Sequence, residues 1–190
     1  MFQFFIKRCS DIFFSIILII LFTPLWISIP VLIKIDSKGR IIFKQKRVGL
    51  NSSHFLIYKF RSMKEGTPDI PTDKVKDPKN FVTKFGAFLR RSSLDEIPQL
   101  FNILKGDMSF VGPRPALYNQ QLLIKLRKEK GVDKFRPGIT GLAQIKGRDD
   151  LPIPQKVEYD KQYVDNFSIF LDLKIIFLTA IAVLSGKGNK

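Results

Sequence analysis

Apolar residues run almost unbroken from position 12 to 33, IFFSIILIILFTPLWISIPVLI, with no charged side chain among them. As a helix, a stretch of this length covers a bilayer core of about 30 Å, so the pattern predicts a membrane-embedded N-terminal segment. The run is too long for the apolar part of a cleaved signal peptide, and no small-residue cleavage pattern follows it. Thr23 and Pro24 sit at its middle, where proline removes one backbone donor and crowds the carbonyl a turn earlier. A bend is predicted there, with the Thr23 hydroxyl placed to bond a carbonyl that the bend frees. Lys7 and Arg8 precede the run, and Lys34, Lys38 and Arg40 follow it. Positive charge on both flanks leaves two topologies open, a kinked spanning helix and a re-entrant hairpin with both ends on one side. Asp11 follows Lys7 and Arg8 by one helical turn and is expected to pair with them at the membrane entrance.

Beyond this segment the pattern shortens. Residues 40–60 alternate apolar and basic positions around Gly49-Leu50-Asn51, as in a small hairpin. A polar loop over 64–80 follows, and helical periodicity returns at 82–91, 98–104 and 118–130. Proline and glycine punctuate 106–147, where loops are expected to dominate. The apolar stretch 167–184 is interrupted by Asp172 and Lys174, which predicts an interfacial or core-packed helix rather than a second span. The fold class is α+β and mainly helical, divided into a membrane entry segment at 1–39 and a globular domain at 40–190.

Charge narrows the setting. Lys and Arg number 32 against 17 Asp and Glu, a formal +15, while hydrophobic residues still make up 45%. That mixture suits a folded protein beside an anionic surface, and either nucleic acid or an acidic leaflet would satisfy it. Cys9 and His54 are the only residues of their types. An internal disulfide and a zinc site of clustered Cys and His are therefore excluded. His54 falls in a predicted strand with a structural role, so acid, base or nucleophile chemistry is left to carboxylates.

The candidate carboxylates are Asp95 and Glu96 in RRSSLDEIPQLFN (90–102). Ser93 and Glu96 match a capping box, which offers Glu96 a purely structural role, while Pro98 moves the helix start toward itself. In either register Asp95 lies near a helix N-terminus, where free amides favour negative charge. Adjacent carboxylates also suit Mg²⁺, a hard cation that leaves coordination positions for substrate phosphates. Arg114 is fixed between prolines in GPRP (112–115), Arg136 precedes PGITG, and Arg148 follows Gly147. Arginine forks in glycine-rich loops fit a phosphate site, although ordinary turns in a basic protein would read the same way.

Taken in order, KRCSD (7–11), Thr23-Pro24, YKFRSM (58–63), SLDEIPQL (93–100), KGDMSFVGPRP (105–115), RPGITGLAQ (136–144) and EYD (158–160) resemble the bacterial sugar transferase family, the monotopic phosphoglycosyl transferases. The likeness covers nearly the whole chain, which also resembles the short members made of the catalytic domain alone. It implies a re-entrant membrane helix bent at Thr23 and Pro24, where the family usually has Ser-Pro, with interfacial amphipathic helices and the catalytic domain on the cytoplasmic face of the bacterial inner membrane. It implies transfer of a sugar 1-phosphate, by expectation an N-acetylated hexosamine, from a UDP-sugar to polyprenyl (undecaprenyl) phosphate with release of UMP. Asp95 matches the family nucleophile and Glu96 the Mg²⁺ partner, with Asp95 beside the metal. Arg114 is expected on the nucleotide phosphates, with Arg90, Arg136, Arg148, Lys59 and Arg61 in support and Asp107 and Asp160 structural. The phospholipid membrane then accounts for the charge, and nucleic acid is not an expected partner.

Overall fold

The computed structural model describes residues 2–67, 78–147 and 150–185. Most of the polar loop expected at 64–80 lies outside them, as does Arg148. The architecture is mainly helical α+β with two small two-stranded sheets.

Helix α1 (Phe2–Leu21) and helix α2 (Thr23–Asp36) meet at Phe22 with a bend of 63°. The cause is local. Pro24 has no N–H for the Ile20 carbonyl, and the Thr23 hydroxyl donates to that carbonyl at 2.7 Å instead. No single helix among the described residues is long and apolar enough to cross a membrane. Both legs dock on the same globular body. From α1, Arg8 donates to the carbonyls of Ile103 at 2.6 Å and Leu104 at 2.9 Å, and the Asp11 carboxylate accepts from the Ser109 hydroxyl and the Phe110 amide. Lys7 reaches Asp172 at 2.5 Å. The hydrogen bonds of Asp11 therefore run to a distant strand, which the expected local pairing did not foresee, while its charge still acts on Arg8 one turn away. From α2, Trp26, Ile29 and Ile33 turn inward onto Phe60, Leu89 and Leu100, while Ile27, Val31 and Ile35 stay exposed. Each inward Ile contributes about 1.5–3 kcal/mol by leaving water.

Strands β1 (Ile42–Val48) and β2 (His54–Phe60) form the predicted antiparallel hairpin, in register from Ile42 opposite Phe60 to Val48 opposite His54. Its turn places Asn51 and Ser52 in the left-handed region, at φ 51° and 58°. His54 is exposed at the start of β2. The short helix α3 (Pro78–Phe81) leads into α4 (Lys84–Ser92), which is capped where the Thr83 hydroxyl accepts from the Gly86 amide at 3.0 Å. Helix α5 (Gln99–Lys105) then crosses behind the hairpin.

Asn102 on α5 is fully buried and ties the helix to β2. Its side-chain oxygen accepts from the Tyr58 amide at 3.0 Å, and its nitrogen donates to the Leu56 carbonyl at 2.7 Å and to Asp107 at 3.3 Å. Asn102→Leu would leave buried backbone groups unpaired and is expected to cost about 2–4 kcal/mol, read as a lowered midpoint in chemical unfolding.

The stretch 106–147 holds more order than its prolines and glycines suggested. Strand β3 (Ser109–Val111) pairs in parallel with β4 (Gly138–Thr140). Between them lies α6 (Gln121–Glu129), and after them come α7 (Leu142–Lys146), α8 (Ile153–Asp165) and α9 (Ile169–Leu184). Helix α9 buries Ile175 and Asp172 but leaves Phe170, Leu173, Ile176 and Phe177 exposed.

Candidate active site

The approach to Asp95 is set by the end of α4. Ser93 adopts the left-handed conformation at φ 58°, and its amide bonds the Arg90 carbonyl at 3.2 Å. The chain then makes one 3₁₀ turn, Leu94–Glu96, and Pro98 stands at the N-cap of α5. The capping box expected from Ser93 and Glu96 does not form. An N-capping residue needs extended backbone, which a left-handed Ser93 cannot supply, and its side chain makes no cap bond.

Glu96 instead meets Lys59, whose ammonium on β2 lies 2.5 Å from Glu96 Oε1 and 3.8 Å from Asp95 Oδ2. Arg114 Nη1 is 3.9 Å from the same Glu96 oxygen. Asp95 is only 7% exposed. Burial pushes its carboxyl above the usual carboxylate range, Lys59 opposes that rise, Glu96 adds to it, and Arg90 and Arg114 oppose it again. Arg90 also donates to the Met63 sulfur at 3.3 Å. Asp95, Glu96, Lys59, Arg90 and Arg114 thus form one group, with a sheltered carboxylate facing three cations. Such a group can bind a phosphoryl centre and present an oxygen nucleophile to it.

Other candidates lie elsewhere. Arg61 is buried under the exit of α2, donating to the carbonyls of Ser37 and Lys38 at 2.7 Å each and to the Ser37 hydroxyl. That guanidinium ties the end of α2 to the residue after β2. Arg136 donates through Nε to the Gly106 carbonyl at 2.8 Å. Arg8 satisfies the Ile103 and Leu104 carbonyls at the end of α5 and Arg136 that of the capping Gly106, where the helix dipole favours cations. Arg136 is not among the charges acting on Asp95.

The profile described as bacterial sugar transferase matches residues 2–186. The chain belongs to the bacterial sugar transferase family. Among its relatives, the UDP-glucose:undecaprenyl-phosphate glucose-1-phosphate transferase of Klebsiella pneumoniae is 43% identical over 97% of this chain and 40% of its own length. The UDP-N-acetylgalactosamine-undecaprenyl-phosphate N-acetylgalactosaminephosphotransferase of Aeromonas hydrophila is 40% identical over 98% of this chain and 45% of its own length. The exopolysaccharide production protein ExoY of Rhizobium meliloti (strain 1021) is 38% identical over 96% of this chain and 87% of its own length. The chain therefore spans less than half of the first two relatives.

In this member of the family, the two arginines that hold Arg114 in place were not among the sequence candidates, although the structural Asp160 was. Arg127 on α6 donates twice to Asp160 on α8, at 2.9 and 2.6 Å, and once to the Arg114 carbonyl at 2.7 Å. Its signal was Arg127 four residues after buried Leu123, which puts a charge on the inward face of α6 and calls for a buried partner. Arg47 on β1 donates to the Pro115 carbonyl at 3.0 Å. No pattern local to Arg47 announces that contact.

Proposed function

We propose that this chain transfers a sugar 1-phosphate from a UDP-sugar to polyprenyl (undecaprenyl) phosphate, through a covalent phosphosugar on Asp95, and so starts the assembly of a surface or protein-linked glycan. The observation that carries the reading is the sheltered Asp95 carboxylate, 3.8 Å from Lys59 and framed by Arg90 and Arg114, in a chain matched nearly end to end by its family. The relatives' names support UDP-sugar and undecaprenyl phosphate as substrates. They divide over the sugar, so the N-acetylated hexosamine stands beside glucose as donor.

In the first step an Asp95 oxygen attacks the β-phosphorus of the UDP-sugar. A carboxyl O–P bond forms, the bridging P–O bond breaks, and UMP leaves with the electron pair. In the second, a phosphate oxygen of the polyprenyl phosphate attacks the same phosphorus and the Asp95 carboxylate departs. Arg114 and Arg90 take the negative charge of the donor phosphates, and Lys59 favours the ionised form of Asp95 against its burial. Glu96 and Asp95 would hold Mg²⁺, which when bound neutralises the diphosphate. Two adjacent carboxylates fit that ion because Mg²⁺ is commonly carried on one or two protein carboxylates together with substrate phosphates. Among the described residues there is no larger cluster of three or more His, Cys, Asp or Glu that could hold a metal.

A re-entrant anchor is the topology this reading adopts. The start of α1 and the end of α2 both bond to the same globular body, Arg8 to Ile103 and Ser37 to Arg61, which a helix pair leaving from opposite sides of a bilayer could not do. Exposed Phe13, Phe14, Ile17 and Ile20 on α1 and Phe170, Leu173 and Phe177 on α9 supply apolar surface for the leaflet. We place the catalytic face on the cytoplasmic side, where UDP-sugars are made.

The test is nucleotide release. The lipid-embedded chain, given undecaprenyl phosphate, Mg²⁺ and a panel of UDP-N-acetylhexosamines and UDP-glucose, is expected to release UMP with one of them. Release of UDP would show direct glycosyl transfer and contradict the reading.

A further inference from the structure

The Pro-Arg-Pro segment has an unusual anchoring. Four successive carbonyls each accept a hydrogen bond from a different place: Pro113 from the Gly138 amide at 3.0 Å, Arg114 from Arg127 Nη1 at 2.7 Å, Pro115 from Arg47 Nη1 at 3.0 Å, and Ala116 from the Val48 amide at 2.9 Å. The outer two donors belong to the backbone of β4 and β1. The inner two are arginine side chains, at the point where sheet pairing gives out.

Prolines explain why side chains are needed there. Pro113 and Pro115 carry no N–H, so two of the four backbone donors of residues 113–116 are missing and the carbonyls carry more of the anchoring. A proline fixes its own φ and biases the preceding residue toward extended backbone, which restricts the peptide plane after Arg114, but ψ of Pro115 stays unset and the plane after Pro115 can tilt. Gripping the Pro115 carbonyl removes that freedom, and gripping the Arg114 carbonyl reinforces the restricted plane before it. The grips are themselves held: Asp160 fixes Arg127, and Gln45 Oε1 accepts from Arg47 Nη2. Asp160 is 1% exposed and Arg127 9%, so this pair is built into the core rather than laid on the surface.

The Arg114 side chain, in contrast, is 42% exposed and leans toward Glu96. A solvent-facing side chain on an anchored main chain is the arrangement expected of a group that must present its planar fork to a phosphate in one orientation. We infer that Arg47 and Arg127, the latter tethered by Asp160, are positioning residues that aim Arg114 at the donor diphosphate. This rests on the reading that Arg114 contacts the donor.

The experiment is a double-mutant cycle on the lipid-embedded chain, using the UDP-sugar selected by the release assay. Arg47→Lys and Arg127→Lys are each expected to raise the donor KM about tenfold, because a lysine cannot hold both its tether and the carbonyl. The KM for undecaprenyl phosphate and the melting temperature stay near those of the unaltered chain. In an Arg114→Ala background neither change raises the donor KM further, since what they aim is gone. If Arg127→Lys lowers the melting temperature by several degrees, Asp160→Asn, which keeps Arg127 but loosens its tether, is read in its place with the same expectation. An unchanged donor KM in the single variants, or the same rise with and without Arg114, would overturn the positioning role. An unchanged donor KM in Arg114→Ala alone would overturn the donor-contact reading, and the positioning role with it.

Discussion

Asp95→Asn is expected to end transfer, by about four orders of magnitude or more, while raising the melting temperature. The two halves come from one fact. Burial raises the Asp95 carboxyl above its ordinary range, so the ionised form that chemistry needs is the form the fold disfavours. A carboxyl with a raised folded value adds stability only at low pH. That contribution is lost as pH rises through the raised value, and at neutral pH the ionised group is a net cost. Asparagine keeps the shape without the charge, so it removes both the nucleophile and the cost. UMP release and a thermal scan on the same preparation check the pair. A melting temperature that falls by several degrees would make Asp95 a structural carboxylate instead.

Lys59→Met is the second large effect. Lys59 is the strongest charge opposing the rise at Asp95, and it also lies 2.5 Å from Glu96. Without it the burial of Asp95 is opposed by one charge fewer and the site loses a cation that would face the donor phosphates, so kcat/KM is expected to fall about a hundredfold, most at the acid end of the profile. The acid limb of the pH profile moves to higher pH, and part of the activity returns as pH is raised. A loss of the same size at every pH would show that Lys59 supports the fold and leaves the charge of Asp95 untouched.

What the sequence made legible was mostly local. The Thr23-Pro24 break could be read because the missing donor and the replacing hydroxyl are adjacent residues, and the Thr23 to Ile20 bond is the result. The β1–β2 hairpin was legible because its alternation is continuous and its turn short. The parallel pair β3–β4 was not, since three residues per strand carry no period and their partners are separated by α6. Ser93 and Glu96 carried a local capping signal that the left-handed backbone at Ser93 overrode.

Among the candidate site residues the same division holds. Lys59 and Arg61 share a strand face by the alternation rule, yet β2 ends at Phe60. Arg61 therefore falls beyond the sheet and turns back under α2, away from Glu96. Asp11 looked paired with Lys7 or Arg8 at helical spacing, but its hydrogen bonds go to Ser109 and Phe110, which only tertiary structure brings near. Arg47 and Arg127 escaped notice for the same reason. The grouping of Asp95 with Glu96, Lys59, Arg90 and Arg114 spans three separate segments, and their order along the chain was visible where their distances were not.

The most direct test of Asp95 as nucleophile is intact-mass analysis of the lipid-embedded chain incubated with the UDP-sugar and Mg²⁺ but no polyprenyl phosphate. A mass increase of one phosphosugar, present in the unaltered chain, missing in Asp95→Asn and discharged on adding undecaprenyl phosphate, is the predicted result. An equal adduct in both proteins, or turnover to the polyprenyl product with no adduct at any time, would contradict it.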